Sequence, residues 1–527
     1  NGALVPAEVN QARGDGISEE NRWLQFRGDL NNTGYSSSSV PASNKDFLAF
    51  STGWKIQSSP VYRNGIIYFG SQSMRVYAVE ASTGEKVWEY ETGGVVDSTP
   101  VIHEDTLYVG SSDSNLYALN ATSGDFLWSF DTDGEIISSP KYYNGIIYFG
   151  SKDGNFYAVN VSNESHHWSF PFKTGGEIWG SAAIADDRVF FGSGDLSFYS
   201  LWLENGSEDW NFSIEATTTT SLGFSSPAVY GGRVIVGSDD MSVYCLDEFT
   251  GKMIWSFATH SQVYSSPAVH NETVFVASYD SIYALPLEDP NKDGKIDSSE
   301  VIWQVPFVNS EGGSSPAIAE GKVLIGSTSS GLLCLNESDG SHFWNFSIPS
   351  GTVSSPTVVD GKVFIGGGNG IMYGLGSSGL PSLHVEIIPE YYAIKSNRVM
   401  GIVFRVTHDQ EPVEGAFVNL YVSEGELTQQ GASTFSDGTN RIKYTAPTVQ
   451  ENTTVTITAV AKKAKFEEGR SSVQVIVEPS TSYGNLSSET EFPWHKYLGY
   501  IVAVVALAIL NLAVAVQLLK KKEGEVP

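Results

Sequence analysis

The chain has 527 residues, which is too long for one ordinary domain and predicts two or three folded units. Hydrophobic residues make up 41% of it and aromatic residues 12%, so large cores can form and disorder is excluded as its main state. A net charge of −29 argues against nucleic acid as a partner, because an acidic surface repels phosphates. Only two cysteines occur, Cys245 and Cys334, which cannot form a disulfide framework and which we expect to be buried as small hydrophobes.

Residues 1–21 are interpreted as a flexible leader, and we expect a secretory signal to have been removed ahead of Asn1. From Trp54 to about Gly376 the chain then repeats roughly every 40 to 50 residues. One unit runs from Ser58 to Trp88, and the next ends at Trp128. Each unit has a Pro, replaced once by Ala, and this position occurs eight times: Pro60, Pro100, Pro140, Ala182, Pro227, Pro267, Pro316 and Pro356. Such a period with several short strands per unit predicts an eight-bladed β-propeller over residues 22–379.

Each unit predicts four strands: one enters the Ser-Ser-Pro, two pass through IIYFGS and VYAV, and one ends at a tryptophan. Seven closing tryptophans occur, at Trp88, Trp128, Trp168, Trp210, Trp255, Trp303 and Trp344. The last unit stops after the Gly370 to Leu375 strand without one. We expect the N-terminal segment FLAFSTGWKI, which carries Trp54, to complete the last blade and close the ring.

The stretch from Ala78 to Trp88 resembles the tryptophan-docking motif of the PQQ-like propeller repeat family, and WLQFRGDLNNTG from Trp23 to Gly34 resembles its opening segment. The resemblance implies that each Trp packs between adjacent blades. The family holds quinone-dependent dehydrogenases and non-catalytic scaffolds of the BamB type. The enzymes of this family are recognised by an adjacent cysteine pair, acidic calcium ligands and a catalytic Asp. This sequence has no Cys-Cys and no such acidic set that we could map, so neither quinone catalysis nor PQQ is expected.

The sixth unit carries an insertion, LEDPNKDGKIDSSEVIW, in place of the short turn of the other units. It matches the twelve-residue calcium loop at every ligand position, with Gly294 at the sharp turn. The predicted ligands are Asp289, Asn291, Asp293, Lys295 through its carbonyl, Asp297 and Glu300. No helix pair flanks the loop, so we expect Ca²⁺ to be structural here, and a solvated acidic turn is the alternative.

Residues 380–478 alternate apolar and polar positions and resemble an immunoglobulin-like β-sandwich of prokaryotic surface proteins. A β-barrel is the alternative fold for this segment. Residues 479–496 are interpreted as a stalk. The segment 497–519 predicts a transmembrane helix, since Leu498 to Leu519 carries no charge. Residues 520–527, which begin with three lysines, predict a cytoplasmic tail and place the rest of the chain outside.

Eleven N-x-S/T sequons lie on the predicted outer side and indicate a glycosylated exterior. They are Asn31, Asn120, Asn160, Asn163, Asn205, Asn211, Asn271, Asn336, Asn345, Asn452 and Asn485. Glycosylation with few cysteines and a short tail is typical of an archaeal surface protein rather than an animal receptor.

The sequence therefore predicts an all-β protein with an eight-bladed propeller, an Ig-like sandwich and one C-terminal transmembrane α-helix. We expect a non-enzymatic, single-pass cell-membrane protein whose ectodomain binds a protein partner, an envelope polymer or a membrane complex. A membrane-anchored PQQ-dependent dehydrogenase and a structural envelope lattice component are the alternatives.

Overall fold

The computed structural model describes residues 22–214, 225–308, 313–377, 383–408, 411–463, 466 and 469–480. All regular elements within these residues are β-strands, and none of the described segments forms an apolar helix of membrane-spanning length. The leader 1–21, the predicted membrane segment 497–519 and the tail 520–527 lie outside the described residues. The chain divides into two compact units between residues 381 and 382.

The first unit opens with three strands that later join sheets formed by distant residues. They are β1 (Arg22–Trp23), β2 (Tyr35–Ser36) and β3 (Asp46–Ser51).

Antiparallel sheets follow one another along the rest of the first unit, and we number them sheet 1 to sheet 8 in chain order. Sheets 1 to 4 contain β4 (Val61–Arg63), β5 (Ile66–Ser71), β6 (Arg75–Glu80) and β7 (Lys86–Glu91); β8 (Val101–His103), β9 (Thr106–Gly110), β10 (Asn115–Asn120) and β11 (Phe126–Asp131); β12 (Lys141–Tyr143), β13 (Ile146–Gly150), β14 (Asn155–Asn160), β15 (Ser165–His166) and β16 (Phe172–Lys173); and β17 (Ala183–Ala185), β18 (Arg188–Gly192), β19 (Ser197–Trp202) and β20 (Glu208–Ser213).

Sheets 5 to 8 repeat the same order of strands. They contain β21 (Ala228–Tyr230), β22 (Arg233–Gly237), β23 (Ser242–Asp247) and β24 (Met253–Ala258); β25 (Ala268–His270), β26 (Thr273–Ala277), β27 (Ser281–Pro286) and β28 (Trp303–Pro306); β29 (Ala317–Ala319), β30 (Lys322–Ser327), β31 (Gly331–Asn336) and β32 (His342–Phe346); and β33 (Thr357–Val359), β34 (Lys362–Gly366) and β35 (Ile371–Leu375). These side-by-side sheets define a β-propeller-like fold.

The second strand of each sheet is nearly all apolar and buried, as β5 shows with the sequence IIYFGS. It follows a tight turn, which in sheet 1 is Asn64-Gly65 with φ of 52° and 82°. Positive φ at both positions matches the right-handed twist of a hairpin, and Asn-Gly adopts it at low cost. Gly70 in β5 is required for a different reason, since a Cβ there would lie 2.4 Å from the Val96 carbonyl oxygen of the next sheet.

A closed ring of hydrogen bonds joins the starts of all eight first strands. In each sheet the backbone N–H of the second hydroxyl residue of the Ser-Ser-Pro motif donates to the hydroxyl of the equivalent residue in the next sheet. The bonds run Ser59 to Thr99 to Ser139 to Ser181 to Ser226 to Ser266 to Ser315 to Ser355 and back to Ser59, at 2.8 to 3.3 Å. All eight hydroxyl residues are buried. We call this set the serine ring.

The closing tryptophans join neighbouring sheets further from the serine ring. The Trp88 indole N–H donates to the Ala121 carbonyl at 2.9 Å, and its ring packs on Gly124 in the turn of sheet 2. Five other tryptophans make the equivalent indole bond to the next segment: Trp168, Trp210, Trp255, Trp303 and Trp344. Gly124 has φ of +78°, and a Cβ there would meet the Trp88 ring at 2.7 Å, so the turn needs glycine.

The N-terminal strand β3 pairs antiparallel with β35 and gives sheet 8 its fourth strand. The docking position in this strand is occupied by Leu48, not by Trp54. Leu48 lies opposite Gly374, is buried, and contacts the turn glycine Gly84 of sheet 1. Trp54 lies three residues beyond the end of β3, with its side chain 65% exposed and its backbone next to Gly370.

The second unit consists of two five-stranded sheets. The first contains β36 (His384–Pro389), β38 (Val399–His408), β39 (Glu411–Pro412), β41 (Glu426–Leu427) and β43 (Thr439–Thr445), and the second β37 (Ala393–Lys395), β40 (Phe417–Val422), β42 (Gly431–Ser433), β44 (Thr453–Lys462) and β45 (Gly469–Glu478). Burial alternates along their strands, and β36 contacts β45 of the other sheet. The buried side chains lie on one face of each strand, as period-two alternation requires.

The serine ring makes a testable prediction about single hydroxyl groups. Ser139→Ala leaves the buried Thr99 N–H without its acceptor, which we expect to cost about 1–3 kcal/mol of unfolding free energy. Ser139→Thr should retain stability, because Thr99 fills the same position in sheet 2. Urea unfolding with Ser129→Ala, an exposed serine, as control checks this. Equal stability of the Ser139→Ala and Ser129→Ala proteins would contradict it.

Candidate functional site

The opening segment, residues 22–36, runs along the inside of the sheets and bonds to the first strand of each one. Its backbone carbonyls accept N–H groups from sheets 2, 4, 5, 6 and 7 at 2.8 to 3.0 Å, from Ile102, Ile184, Val229, Val269 and Ile318. β1 pairs with β4 of sheet 1, and the Ser36 hydroxyl donates to Val358 of sheet 8 at 2.7 Å. Sheet 3 is reached by a side chain, Lys141. The inner edges of the sheets are therefore covered by the chain itself.

Two side chains of the opening segment donate hydrogen bonds to the carbonyls of residues that come directly after the serine-ring residues in the sequence. The Arg27 guanidinium donates to the carbonyls of Pro316 and Pro267, and the Asn32 amide donates to those of Ala182 and Pro227 at 3.0 and 2.9 Å. Both side chains are buried, and both residues have positive φ. Burial lowers the pKa of Arg27 to about 9, so it is still a cation at neutral pH.

Lys141 is the second buried basic side chain at the inner edges. Its Nζ donates to the Phe26 carbonyl at 2.7 Å and to the Asp29 carbonyl at 2.8 Å. Burial lowers the pKa of Lys141 to about 7, while the Asp29 carboxylate opposes the shift and the Arg27 charge adds to it. Sequence reasoning missed this role. A signal was present, because the equivalent position after the Pro is Val, Ala or Thr in the other seven units.

The predicted calcium loop lies between β27 and β28 of sheet 6 and is curled by its own side chains. The Asp289 carboxylate accepts backbone N–H groups from Asn291, Lys292 and Gly294 at 3.1, 2.9 and 2.7 Å. Partial burial acts to raise the pKa of Asp289, but these bonds outweigh it and lower the pKa below its usual range. Gly294 has φ of +88°, as the sharp turn at this position requires.

The remaining predicted ligands bond within the same loop. The Asn291 and Asp293 side-chain oxygens accept the N–H groups of Asp293 and Lys295, each at 2.9 Å, and Glu300 accepts the Asp297 N–H at 2.8 Å. Across the described part of the chain, no three His, Cys, Asp or Glu side chains are grouped closely enough to hold a metal ion. The donor set and the curled backbone are those that Ca²⁺ loops use.

The same loop also pairs with the outer edge of sheet 5. Ser256 in β24 donates its N–H to the Gly294 carbonyl at 3.1 Å and accepts the Ile296 N–H at 2.9 Å. Ile296 is buried in one cluster with Trp255 and Leu287. Trp255 has no exposed surface, whereas the other closing tryptophans are 3 to 8% exposed, except for Trp128, which is half-buried. The insertion therefore covers an otherwise open strand edge and fastens sheet 5 to sheet 6.

The ends of the sheets form two faces. One holds the turns between first and second and between third and fourth strands, and we call it the opening face. The other holds the turns between second and third strands and the connections between sheets that lead into the serine ring, and we call it the serine face. An up-and-down order of antiparallel strands requires this separation.

The sequons of the first unit are distributed unequally over these faces. Six lie at turns of the opening face: Asn120, Asn160, Asn163, Asn205, Asn271 and Asn336. Asn211 and Asn345 lie exposed on the outermost strands β20 and β32. Asn31 is half-buried in the opening segment, Asn452 is exposed in the second unit, and Asn485 lies outside the described residues. Among the described residues, no sequon falls in the serine face.

The cysteines do not offer the adjacent pair that marks the quinone enzymes. Cys245 lies in β23 of sheet 5 and Cys334 in β31 of sheet 7, and both are free and buried, as expected. Burial raises the pKa of both thiols, so neither is a reactive thiolate.

Repeated four-stranded sheets, tryptophan docking and a hydroxyl ring define a protein built from propeller repeats. A family profile described as "Outer membrane protein assembly factor BamB" matches residues 74–223, 220–295 and 292–491. The match covers more than half of the chain, which therefore belongs to this family of PQQ-like repeat proteins. The comparison with curated proteins found no match.

Solved structures with the same fold include a non-enzyme and enzymes. BamB from Moraxella catarrhalis is similar over 63% of this chain and 99% of its own, with 15% identity and a TM-score of 0.54. Quinohemoprotein alcohol dehydrogenase from Comamonas testosteroni is similar over 69% and 82%, with 15% identity and a TM-score of 0.58. A europium-containing methanol dehydrogenase is similar over 66% and 90%, with 13% identity and a TM-score of 0.55. At these identities the likeness establishes the fold alone.

Lys141 makes a prediction about pH. The pKa of Lys141 is about 7 in the folded chain and 10.5 for an ordinary lysine. Between these two pH values the unfolded chain holds a proton that the folded chain has released. Stability should therefore rise with pH from about 7 to 10, by at most about 1.4 kcal/mol per pH unit. Lys141→Met should remove this slope, whereas Lys252→Met, an exposed lysine, should retain it. Urea unfolding at pH 7 and pH 9 measures the difference, and equal slopes for all three proteins would contradict the assignment.

Proposed function

We propose that this chain is a non-catalytic scaffold whose first unit is an eight-bladed propeller that presents a binding surface to other proteins. One observation carries the proposal: the opening segment fills the inner edges of the sheets with the chain's own backbone and with Arg27 and Asn32. The polar groups of the inner strands are thus used in hydrogen bonds that hold the propeller together. The surface left for partners is formed by turns and outer strands.

The blade number rests on the serine ring, which returns to Ser59 after eight steps. The pairing of β3 with β35 supports a ring closed by the N-terminal strand over residues 22–379. The two contacting sheets of the second unit support an immunoglobulin-like sandwich over residues 380–478.

The proposed location is the outer side of a cell membrane, with a stalk and a helix over 497–519 as the anchor. The uncharged stretch from Leu498 to Leu519 and the lysines after it support this topology. The exposed sequons, such as Asn163 and Asn205, support a glycosylated ectodomain, and the combination favours an archaeal surface protein.

The alternative function, from another class, is a membrane-anchored quinoprotein dehydrogenase. This chain shares its fold with the quinohemoprotein enzyme described above. The separated, buried cysteines argue against it. A lattice component of the envelope is the third possibility and would require the ectodomain to assemble with itself.

The scaffold function predicts two results for the full chain. In native membranes it should migrate as part of a complex larger than itself. The purified chain, given pyrroloquinoline quinone and Ca²⁺, should not oxidise alcohols above a protein-free control in a dye-linked assay. Sustained quinone-dependent oxidation would overturn the proposal in favour of the dehydrogenase. A complex containing only copies of this chain would overturn it in favour of the lattice component.

We further propose that the loop at Asp289–Glu300 binds one structural Ca²⁺. The ion would neutralise its acidic side chains and fix the insertion against the edge of sheet 5, where Ser256 already bonds to Gly294 and Ile296. Ordering a long insertion costs chain entropy, and the ion offsets that cost.

Removing ligands tests the calcium loop. Asp293→Ala with Glu300→Ala should abolish the protection from proteolysis that Ca²⁺ gives to this loop in the wild-type chain. Asp339→Ala, in the short turn of sheet 7, is the matched control and should keep it. The site is wrong if cleavage of the wild-type loop is the same with Ca²⁺ and with chelator.

A further inference from the structure

The serine face is the broad surface of the first unit that the sequons leave free. N-linked glycans are bulky, and those on the opening face and the outermost strands would keep other proteins away from these surfaces. The described connections of the serine face contain no sequon. A partner that binds the glycosylated chain can therefore reach this face.

Aromatic side chains on the serine face suit protein contact. Trp54 is 65% exposed in the connection that leads into sheet 1. Trp179 is half-buried, with the Lys152 ammonium 4.2 Å from its ring centroid, and Tyr264 and Tyr279 pack edge-to-face at 5.3 Å. Partly exposed aromatic residues on rigid turns are the residue types that anchor protein interfaces.

The charge of the serine face decides which partner it fits. Its described connections hold ten acidic residues, all in sheets 2 to 6 and all at least partly exposed: Asp97, Asp113, Asp133, Glu135, Asp153, Glu177, Asp195, Asp239, Asp240 and Asp280. They hold two lysines, Lys55 and Lys152, and the second forms a salt bridge with Glu135. A partner must bring positive charge to this face.

Four of these carboxylates are held by tyrosine hydroxyls. Asp113 and Asp153 accept the hydroxyls of Tyr117 and Tyr157 at 2.8 and 2.7 Å, and Asp195 and Asp240 make the same bond to the tyrosine four residues later. A second copy of this acidic chain, a nucleic acid or an anionic lipid surface would be repelled.

We propose that the serine face docks a protein partner whose contact surface is rich in lysine and arginine, with Trp54 and Trp179 as apolar anchors and the ten acidic residues of the same face as its charge partners. The proposal rests on the scaffold function and names the surface and the partner chemistry. Rigid turns keep the ordering cost of such a contact low.

Site-specific cross-linking in native membranes tests the face. A photo-reactive phenylalanine analogue replaces Trp54 on the serine face or Phe249, an exposed aromatic residue on the opening face, in the full chain. The Trp54 position should give at least about tenfold more cross-linked product, to one protein, through peptides rich in Lys and Arg. Equal product from Phe249, acidic cross-linked peptides, or product made of two copies of this chain would each overturn the proposal.

Charge and glycan variants test it independently. Asp133→Lys with Glu177→Lys should reduce the Trp54 product at least about tenfold, whereas Glu204→Lys on the opening face should not. Ser112→Asn creates a sequon with Ser114 on the serine face, and once a mass shift shows its glycan the product should be lost. Glu80→Asn creates one with Ser82 on the opening face and should leave the product intact.

The outcomes separate this proposal from the scaffold function. Cross-linking from Phe249 alone, with no alcohol oxidation, would leave the scaffold function standing and make the serine face wrong. Quinone-dependent oxidation with no cross-link from either position would overturn both.

Discussion

Eight backbone N–H groups meet at the centre of the first unit, and each must find an acceptor there. The serine ring solves this by giving each N–H the hydroxyl of the next sheet, as Ser59 does with Thr99. An unpaired buried N–H costs about 1–3 kcal/mol, so the ring is stable only when every position is filled. The requirement for a hydroxyl residue in each unit, and for a chain that returns to its start, follows from this constraint.

The ring leaves a second set of polar groups to satisfy. The residue after each ring hydroxyl is Pro or Ala, and several of these carbonyls face the opening segment, where Arg27 and Asn32 donate to them. Burying two basic side chains, Arg27 and Lys141, where one carboxylate lies near would be unfavourable without acceptors for their donors. The Arg27 Nη atoms and the Lys141 Nζ donate to neutral carbonyls, whereas the buried Arg27 Nε has no hydrogen-bond partner among the described residues. The opening segment is thus part of the core, because the inner edges need its donors and acceptors.

The sequence predicts the structural features that recur in every unit. It does not predict the features that depend on strand register or on contacts between distant residues. The period indicates the propeller-like fold, and the motif ending at Trp88 indicates docking, since each side chain recurs in the same local pattern. The side chain that docks in the last sheet, Leu48 rather than a tryptophan, depends on the pairing of β3 with β35, where Leu48 lies opposite Gly374. The pairing of Gly294 with Ser256 joins two units through a single bridge, which no local pattern indicates. The calcium, the sandwich type and the anchor stay predictions.

The two faces differ in what their turns must present. Each connection on the serine face delivers a hydroxyl residue to a fixed position in the ring, although the connections differ in length: Ser181 and Ser226 are 45 residues apart, and Ser59 and Thr99 are 40 apart. The turn between third and fourth strands only has to present a glycine such as Gly124 to an indole, and residues beyond that contact are free to vary. The twelve-residue loop of sheet 6 and the turn sequons all occur on the opening face. The constant feature of the serine face is therefore the position of its eight ring hydroxyls, which fixes where each connection enters its sheet and gives a docking surface a defined geometry.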